Sequence, residues 1–380
     1  MLALSTDAST VLAILRDGIP RTKSQLAEAA ECSRSTVSAH LAHLVEIDLV
    51  SQLDETLTTK GRPSTLYALH ATSRVILAAD IGMRHATVAV TDLAGRVMSH
   101  RLLAVEVEQG PDIVLEAVLR EGHAQLDGHH LDASRIAGVG VGLPGAVDHA
   151  SDRPILPLAI PGWDGYDLVG RIRAEIDAPV LVENDVNVMA IGEGILTWPH
   201  EREVLMVKVA TGIGAGVITH QRVVRGSEGV AGDIGHIRVE AAGDRMCTCG
   251  QTGCLGTVAS GLGIAETLRQ QGLDTDDGRQ IVALVRSGST AATSAVRQAG
   301  RAIGEALAAC IAVLNPSVIV IGGSLAAVGE PLLAGIREVV YQRAQPLASR
   351  HLRIVPAHDI ELAGIAGLSR LVQGVVFRLV

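Results

Sequence analysis

One histidine and three cysteines are spaced as the ligands of a metal ion are. His236 is followed by Cys247, Cys249 and Cys254, in the pattern H-x10-C-x-C-x4-C. One imidazole and three thiolates complete a tetrahedral Zn²⁺ site with no open position, so the spacing predicts one structural zinc ion per chain. The alternative is a group of reduced free cysteines with no metal.

Polar side chains also gather where a short apolar strand is predicted to end, in the stretch VENDVN. These side chains are Glu183, Asn184, Asp185 and Asn187. Ligands of open α/β sheets bind beyond the carboxyl ends of the strands, which makes this cluster a candidate binding site. The alternative is a capping cluster, with Asp185 or Asn187 as the N-cap of the helix that follows.

Three glycine-containing turns after predicted strands are candidate nucleotide contacts, because bare backbone N–H groups can cradle phosphate oxygens. Their residues are Asp80, Gly82, Thr211, Gly212, Gly322 and Gly323. In the first turn, AADIGMRHATVAV, the bulky residues Met83, Arg84 and His85 stand where close approach favours small residues. The rhythm of strand, turn and strand recurs in the second sheet, which suggests two similar lobes facing a cleft.

The elements ahead of these turns are typical of a winged helix–turn–helix. Thr22 and Gln25 form a capping-box pattern, and Ser33 can cap a second helix. The predicted buried stripe of that helix consists of Val37, Leu41, Leu44 and Val45. Two alternating runs in VSQLDETLTTKGRPSTLYAL then predict a β-hairpin wing.

The second helix would enter a major groove with its first turns, while the wing would reach a neighbouring phosphate or minor groove. The predicted DNA contacts are Arg34, Ser35, Thr36, Ser38, His40, Lys60 and Arg62. Short helix pairs are often only structural, and the first 70 residues hold six Lys/Arg against eight Asp/Glu. The order of helices and wing nevertheless favours binding of double-stranded operator DNA.

Composition limits the class of protein. The chain has 380 residues, a net charge of −9, 48% hydrophobic and only 2% aromatic residues, so two or three domains with aliphatic cores are expected. It lacks an apolar run of membrane-spanning length, and its N-terminus does not resemble a signal peptide. We therefore expect a cytoplasmic protein that does not bind a membrane, with the separate cysteines Cys32 and Cys310 as packed thiols.

Nearly the whole chain resembles the ROK family (repressors, ORFs and sugar kinases). The matching stretches are DIG at Asp80, GVGLPGAVD at Gly140, IPGWDGYDL at Ile160, VENDVN at Val182, ATGIGAG at Ala210, GDIGHI at Gly232 and CTCGQTGCLG at Cys247. The resemblance implies a two-lobed α/β fold of the hexokinase–actin ATPase type. The preceding α+β winged helix–turn–helix matches the layout of the family's sugar-responsive transcription factors.

The resemblance also implies site roles. Asn184, Asp185, Asp233 and His236 correspond to sugar-binding positions, and Asp185 would be the general base if the chain were a kinase. His236 would serve both the zinc ion and the sugar. Asp233 stands where kinase members usually have Glu.

Three departures from the kinase pattern favour a sensor. The kinase turn DIGGTK is DIGMRH here, Ala210 replaces the first glycine of the second phosphate turn, and Gly256 replaces a sugar-binding Glu. Bulky residues thus fill a phosphate cradle that a sensor does not need, so ATP and Mg²⁺ are not expected as cofactors. At Gly256 a neighbouring residue or an ordered water could fill the gap, or the space could admit a substituent of a larger sugar.

The sequence therefore predicts a sugar-responsive DNA-binding regulator, with repression favoured, that acts as a homodimer or homotetramer. The alternative is an ATP-dependent sugar kinase with a regulatory DNA-binding domain. The expected domains are the winged helix–turn–helix (1–72), a first lobe (73–188), a second lobe with the zinc loop (189–365), and a C-terminal helix (366–380) that returns to the first lobe.

Overall fold

The computed structural model describes residues 6–57, 64–155, 160–359 and 361–377, and the chain begins with three short helices. They are α1 (Thr6–Leu15), α2 (Lys23–Ala29) and α3 (Arg34–Glu46), with strand β1 (Arg21–Thr22) ahead of α2. The Thr22 hydroxyl accepts from the Gln25 N–H, and the Gln25 side chain accepts from the Thr22 N–H. The Ser33 hydroxyl accepts from the Thr36 N–H at 3.1 Å, so both predicted helix starts are confirmed.

The hairpin that follows is the predicted wing. Strands β2 (Val50–Leu57) and β3 (Ser64–Leu69) pair antiparallel, and β1 adds to the other side of β3. The connecting residues between the two strands carry Lys60 and Arg62, which lie outside the described residues.

The buried stripe of α3 is narrower than predicted. Val37, Leu41 and Leu44 are buried, but Val45 is 39% exposed, so its assignment to the stripe was wrong. At about 100° per residue, position 45 lies about 80° around the helix from position 37, at the edge of the face that α1 and α2 cover.

The first large sheet has five strands. The elements in order are β4 (Val75–Ile81), β5 (Ala86–Asp92), β6 (Val97–Leu103), α4 (Pro111–Gly128), β7 (Ile136–Leu143), the hairpin β8 (Ala146–Asp148) and β9 (Arg153–Ile155), α5 (Leu168–Arg173) and β10 (Val180–Asn184). The strand order is β10-β7-β4-β5-β6, with β4, β5 and β6 antiparallel and β7 parallel to β4.

The second large sheet repeats this plan. Its elements are α6 (Asp185–Ala190), a π-helical turn (Ile191–Thr197), β11 (Glu203–Val209), β12 (Ile213–Thr219), β13 (Arg222–Val224), α7 (Gly256–Ala259), α8 (Gly261–Gln270), α9 (Gly278–Arg286), α10 (Thr290–Leu314), β14 (Val318–Gly322), α11 (Glu330–Arg343), α12 (Pro346–Ser349) and β15 (Arg353–Pro356). The order is β13-β12-β11-β14-β15. As in the first sheet, three antiparallel strands are continued by parallel ones, which confirms the predicted repetition.

The chain divides into two compact units. The first contains residues up to Gly142, Tyr166–Val182 and residues from Leu368 onward. The second contains Leu143–Gly165 and Glu183–Gly367. Each unit is built around one large sheet, and the first also contains the winged helix–turn–helix. Among the described residues, no helix combines the length and apolar character that crossing a membrane requires.

The last helix, α13 (Ala363–Val376), belongs to both units. Within the first unit, Val372, Val376 and Phe377 are buried in one cluster with side chains of α1, α2 and α3. The C-terminal helix is therefore part of the hydrophobic core that holds the DNA-binding helices, and the aliphatic and aromatic area that it buries stabilises their arrangement.

Candidate functional site

The four predicted metal ligands come together in the second unit. One ligand atom from each of His236, Cys247, Cys249 and Cys254 lies within 4.8 Å of the others. The Nδ1 of His236 lies 3.5 Å from the Sγ of Cys247, and the Sγ atoms of Cys249 and Cys254 are 3.7 Å apart. Tetrahedral ligands at about 2.0–2.3 Å from one ion have separations of this size, so the cluster can hold a metal ion.

The backbone of the loop shapes the cluster. The Cys247 N–H donates to Gln251, and the Gly250 N–H donates back to Cys247, which closes a tight turn. Gly253 has φ +81, and a Cβ there would lie 2.9 Å from the Gly243 carbonyl oxygen. Burial opposes ionisation of Cys247, but hydrogen bonds from Cys249 and neighbouring groups lower the pKa of its thiol to about 7. A thiolate is thus available to a metal near neutral pH.

His236 faces two ways. Its Nδ1 points to the thiols, and its Nε2 lies 3.8 Å from the Oδ2 of Asp233. Partial burial raises the pKa of the Asp233 carboxyl, and the nearby imidazole opposes that rise. The edge of the imidazole that carries Nε2 is therefore left to a carboxylate or to a ligand, as is common for metal-bound histidines.

Asn184 is the N-cap of α6, which corrects the capping alternative of Asp185 or Asn187. Its Oδ1 accepts from the N–H groups of Val186 and Asn187, both at 3.0 Å. Its Nδ2 donates to the Gly145 carbonyl at 2.7 Å. An amide NH₂ has two hydrogens, so Asn184 keeps one donor for a ligand.

Asp185 is paired with a lysine that sequence reasoning missed. The Nζ of Lys208, on β11, lies 2.7 Å from the Oδ2 of Asp185, and the two side chains are 17% and 9% exposed. A single charge inside the otherwise apolar strand VLMVKV was the available signal. Oδ2 of Asp185 is thus engaged in a charge-assisted hydrogen bond with the Lys208 ammonium.

Glu183 contacts side chains from three other parts of the second unit. Its carboxylate receives hydrogen bonds from Arg225 Nε at 2.7 Å and Asn187 Nδ2 at 3.0 Å, and His149 Nε2 lies 3.5 Å away. Burial alone would raise the pKa of Glu183, but His149, Arg225 and the hydrogen bonds outweigh it and lower the pKa to about 2. Arg225 and His149, which the sequence did not single out, thereby fix the strand end that presents Asn184 and Asp185.

The turn between β4 and β5 is occupied by its own side chain. The Gly82 N–H donates to the His85 carbonyl, and a Cβ on Gly82 would lie 3.3 Å from that oxygen and 3.7 Å from the His85 ring. The Met83 carbonyl accepts from Val107 and fixes the turn to the next segment. Asp80 and Gly82 therefore belong to a turn in which the His85 ring lies next to Gly82.

The turn between β11 and β12 is open instead. Nothing lies within 4 Å of a Cβ built on Gly212, while the Ala210 carbonyl before it accepts from the first residue of α8, Gly261. Gly323 lies against Val209, with φ +85, and a Cβ on Gly323 would lie 2.5 Å from the Val209 oxygen. Thr211, Gly212 and Gly323 are thus neighbours in the second unit, and Gly322 packs on the core side of β14.

A cavity of about 580 Å³ adjoins the open turn and the metal cluster. His236, Gly256, Thr211 and Gly212 are among its lining residues. Asn184, Asp185 and Asp233 do not line it. Of the four predicted sugar-binding residues, His236 is therefore the one that lines the cavity.

The predicted DNA contacts on α3 lie near its N-terminus. Arg34 and Ser35 are exposed, and Thr36, Ser38 and His40 are half-buried. The Lys23 Nζ lies 2.9 Å from the Ser38 hydroxyl and 5.6 Å from the centre of the Tyr67 ring. This adds Lys23, from α2, to the basic groups of the helix–turn–helix.

The comparisons with known proteins agree with these features. The ROK family model matches residues 76–375, and the model of the arsR family of bacterial regulatory proteins matches residues 8–52. The xylose repressor of Bacillus spizizenii is 24% identical, over 93% of this chain and 91% of its own. The glucokinase of Halalkalibacterium halodurans is 30% identical, over 68% of this chain and 83% of its own.

A solved ROK-family transcriptional regulator, a homologue of E. coli Mlc, has the same fold with a TM-score of 0.81 and 23% identity. The superposition covers 97% of this chain and 96% of the other. Most of the chain thus matches one family model, and a bacterial regulatory helix–turn–helix precedes that match. The chain belongs to the ROK family.

Proposed function

We propose that this protein is a sugar-responsive transcriptional repressor whose ROK domain senses the sugar and whose winged helix–turn–helix binds operator DNA. The observation that carries the proposal is the Lys208–Asp185 pair, 2.7 Å apart, in a chain that also has a capped helix–turn–helix. Candidate binding groups for a sugar are retained, and the carboxylate that would act as general base in a kinase is held in an ion pair. This role is a cytoplasmic one.

The sugar is held by groups of the second unit. Asp185 accepts hydrogen bonds from sugar hydroxyls through the carboxylate oxygen that Lys208 leaves available, and Asn184 donates its remaining N–H. Asp233 and the Nε2 edge of His236 supply a second polar side. Charge-assisted hydrogen bonds of this kind give a hydroxylated ligand affinity and orientation.

Zinc is the metal that the His/Cys₃ cluster fits best. Bound zinc supplies a structural cross-link that fixes the loop of Cys247, Cys249 and Cys254 to His236. The chain's own contribution is the orientation of the imidazole, with Nδ1 toward the thiols and Nε2 toward Asp233. Zinc is therefore coupled to sugar binding through the position of one ring.

The connection to DNA is helix α13. In the second unit a Cβ on Gly192 would lie 1.9 Å from the Ala363 oxygen, and one on Gly367 would lie 1.8 Å from the Val188 oxygen. These backbones are in direct contact, and the helical segment beginning at Asp185 runs into this contact. In the first unit Val376 of the same helix and Phe377, directly after it, belong to the core of the DNA-binding helices.

A sugar that prefers one position of α6 can thus bias the position of the recognition helix through one continuous element. Reduced operator affinity then requires that the sugar binds more tightly to the state that binds DNA less well. A homodimer that presents two recognition helices accounts for a palindromic operator. Each protomer would contact one half-site.

The kinase alternative is disfavoured by the bulky residues of the DIGMRH turn, where the His85 ring lies beside Gly82. Fluorescence anisotropy with genomic operator fragments, with and without a panel of sugars, tests the proposal. We expect sequence-specific binding that one sugar weakens at least tenfold, and no ADP release from Mg·ATP with that sugar. Sugar-dependent ADP release without specific DNA binding would overturn the proposal in favour of the kinase.

A further inference from the structure

The cavity beside the metal cluster offers more space than a single sugar ring needs. Its volume is about 580 Å³, within the range of cavities that hold drug-sized ligands. Asn184 and Asp185, the proposed holders of the first ring, are not among its lining residues. The cavity is thus additional space that begins at His236.

Gly256 lines this cavity, and the surrounding backbone has room for a side chain at this position. A Cβ at position 256 would lie 3.4 Å from the Gly235 oxygen and 3.8 Å from the Ile213 side chain, which are ordinary contacts. At the neighbouring Gly235, by contrast, a Cβ would lie 2.4 Å from the Ile213 oxygen. Packing therefore demands glycine at 235, whereas at 256 glycine only leaves room.

The chemistry of the lining suits a neutral ligand with hydroxyl groups. Ile213, Met246 and Leu262 offer apolar surface, which matches the C–H face of a sugar ring. Threonine hydroxyls and an amide provide hydrogen-bonding groups, from Thr211, Thr248, Thr257 and Gln270. The charges are one arginine and one glutamate, and Arg245 already donates to the Thr257 carbonyl at 3.3 Å. Arg245 is thus the one lysine or arginine among the lining residues.

We propose that the effector is a disaccharide or a glycoside, with one ring on Asn184 and Asp185 and a second ring in the cavity past Gly256. This inference rests on the proposed sugar-sensing function and names its ligand class. The second ring binds through shape and neutral hydrogen bonds, so its loss removes affinity without removing binding at the first ring.

Calorimetric titration of the full-length, zinc-loaded protein tests the inference. The ligands are glucose, xylose, N-acetylglucosamine, maltose, cellobiose, and the phenyl α- and β-glucosides. We expect at least one two-ring ligand to bind at least tenfold more tightly than its monosaccharide. Gly256→Met should remove most of that advantage while monosaccharide affinity changes by less than about threefold.

Two further variants keep the experiment decisive. Gly128→Met adds the same side chain at the end of α4, where nothing lies within 4 Å, and should leave every affinity unchanged. Leu262→Arg, at the exposed rim of the cavity, should weaken two-ring ligands even if Gly256→Met fails to retain zinc.

The two possible failures are distinguishable. If a monosaccharide or N-acetylglucosamine binds as tightly as every two-ring ligand, or both cavity variants preserve the ranking, the second-ring inference is wrong and sugar sensing stands. If none of these sugars binds the wild-type protein, the proposed function fails and the inference fails with it.

Discussion

The ammonium of Lys208 lies 2.7 Å from the carboxylate of Asp185, and both side chains are largely withdrawn from solvent. Strand β11 supplies the cation and the first residue of α6 supplies the anion. Removing Lys208 leaves the carboxylate of Asp185 without this counterpart in a mostly buried place, which is costly. The pair therefore joins β11 to the start of α6 within the second unit.

Lys208→Met should lower the free energy of unfolding by about 3 kcal/mol, because Asp185 keeps its charge in a buried place. Denaturant unfolding measures this change. The double variant Lys208→Met/Asp185→Asn should recover part of the loss, since the carboxylate of Asp185 is removed together with the ammonium. Additive effects of the two single substitutions would show that the pair is not coupled.

Cys249→Ser should release the metal and reduce the response of operator binding to sugar, because the loop that orients His236 loses its cross-link. Elemental analysis should find about one zinc ion per wild-type chain and far less in the variant. Cys310→Ser, a half-buried cysteine on α10, is the matched control and should keep the metal. A Cys249→Ser protein with full zinc content would show that the ligand set is different.

Glu183 should stabilise the protein in a pH-dependent way. Its pKa is about 2 in the folded protein against an ordinary value of 4.5, so its contribution is complete above about pH 4.5 and is lost as the pH falls toward 2. The shift corresponds to about 3 kcal/mol at most. The melting temperature of Glu183→Gln should therefore lie below that of wild type at pH 7, and the two should converge below pH 4.5.

The exposed Glu240 supplies the control, because Glu240→Gln should follow wild type at every pH. A gap between wild type and Glu183→Gln that is as large at pH 3 as at pH 7 would contradict the assignment. The charged groups around Glu183 would then not be the cause of its stabilising effect.

Arg34→Ala should weaken operator binding by about 1–3 kcal/mol if its guanidinium reads a base. Lys60→Ala/Arg62→Ala, in the wing segment that lies outside the described residues, should weaken binding evenly across sequences and reduce the salt slope by about 2. Arg120→Ala, on the exposed face of α4, is the control. Anisotropy titrations at several salt concentrations measure both effects, and an unchanged affinity in Arg34→Ala would exclude that residue from the interface.

Phe377→Ala should separate DNA binding from sugar binding. The side chain is fully buried among the DNA-binding helices, and its truncation should cost about 3–5 kcal/mol of local stability. Operator affinity should fall sharply while calorimetric sugar binding persists. Val375→Ala, at an exposed position two residues earlier on α13, should change neither. Loss of sugar binding in Phe377→Ala would mean that the damage is global.

The sequence by itself determined the features that depend on neighbours along the chain. The helix starts at Thr22 and Ser33 follow from side-chain oxygens three residues before the N–H groups that they cap. The metal cluster is a near-local feature in the same sense, because three of its ligands lie within eight residues. The repeated rhythm of strand and glycine turn likewise predicted two similar sheets.

Only the tertiary structure decided the contacts that join distant segments. No local pattern pairs Lys208 with Asp185, since that contact requires β11 to lie beside the start of α6. Asn184 became the N-cap because the Gly145 carbonyl holds its amide from another segment. Val45 is exposed because the helices that pack on α3 cover only part of the apolar face of α3. The space beside Gly256 likewise depends on walls from several elements, because a cavity is a property of packing in three dimensions.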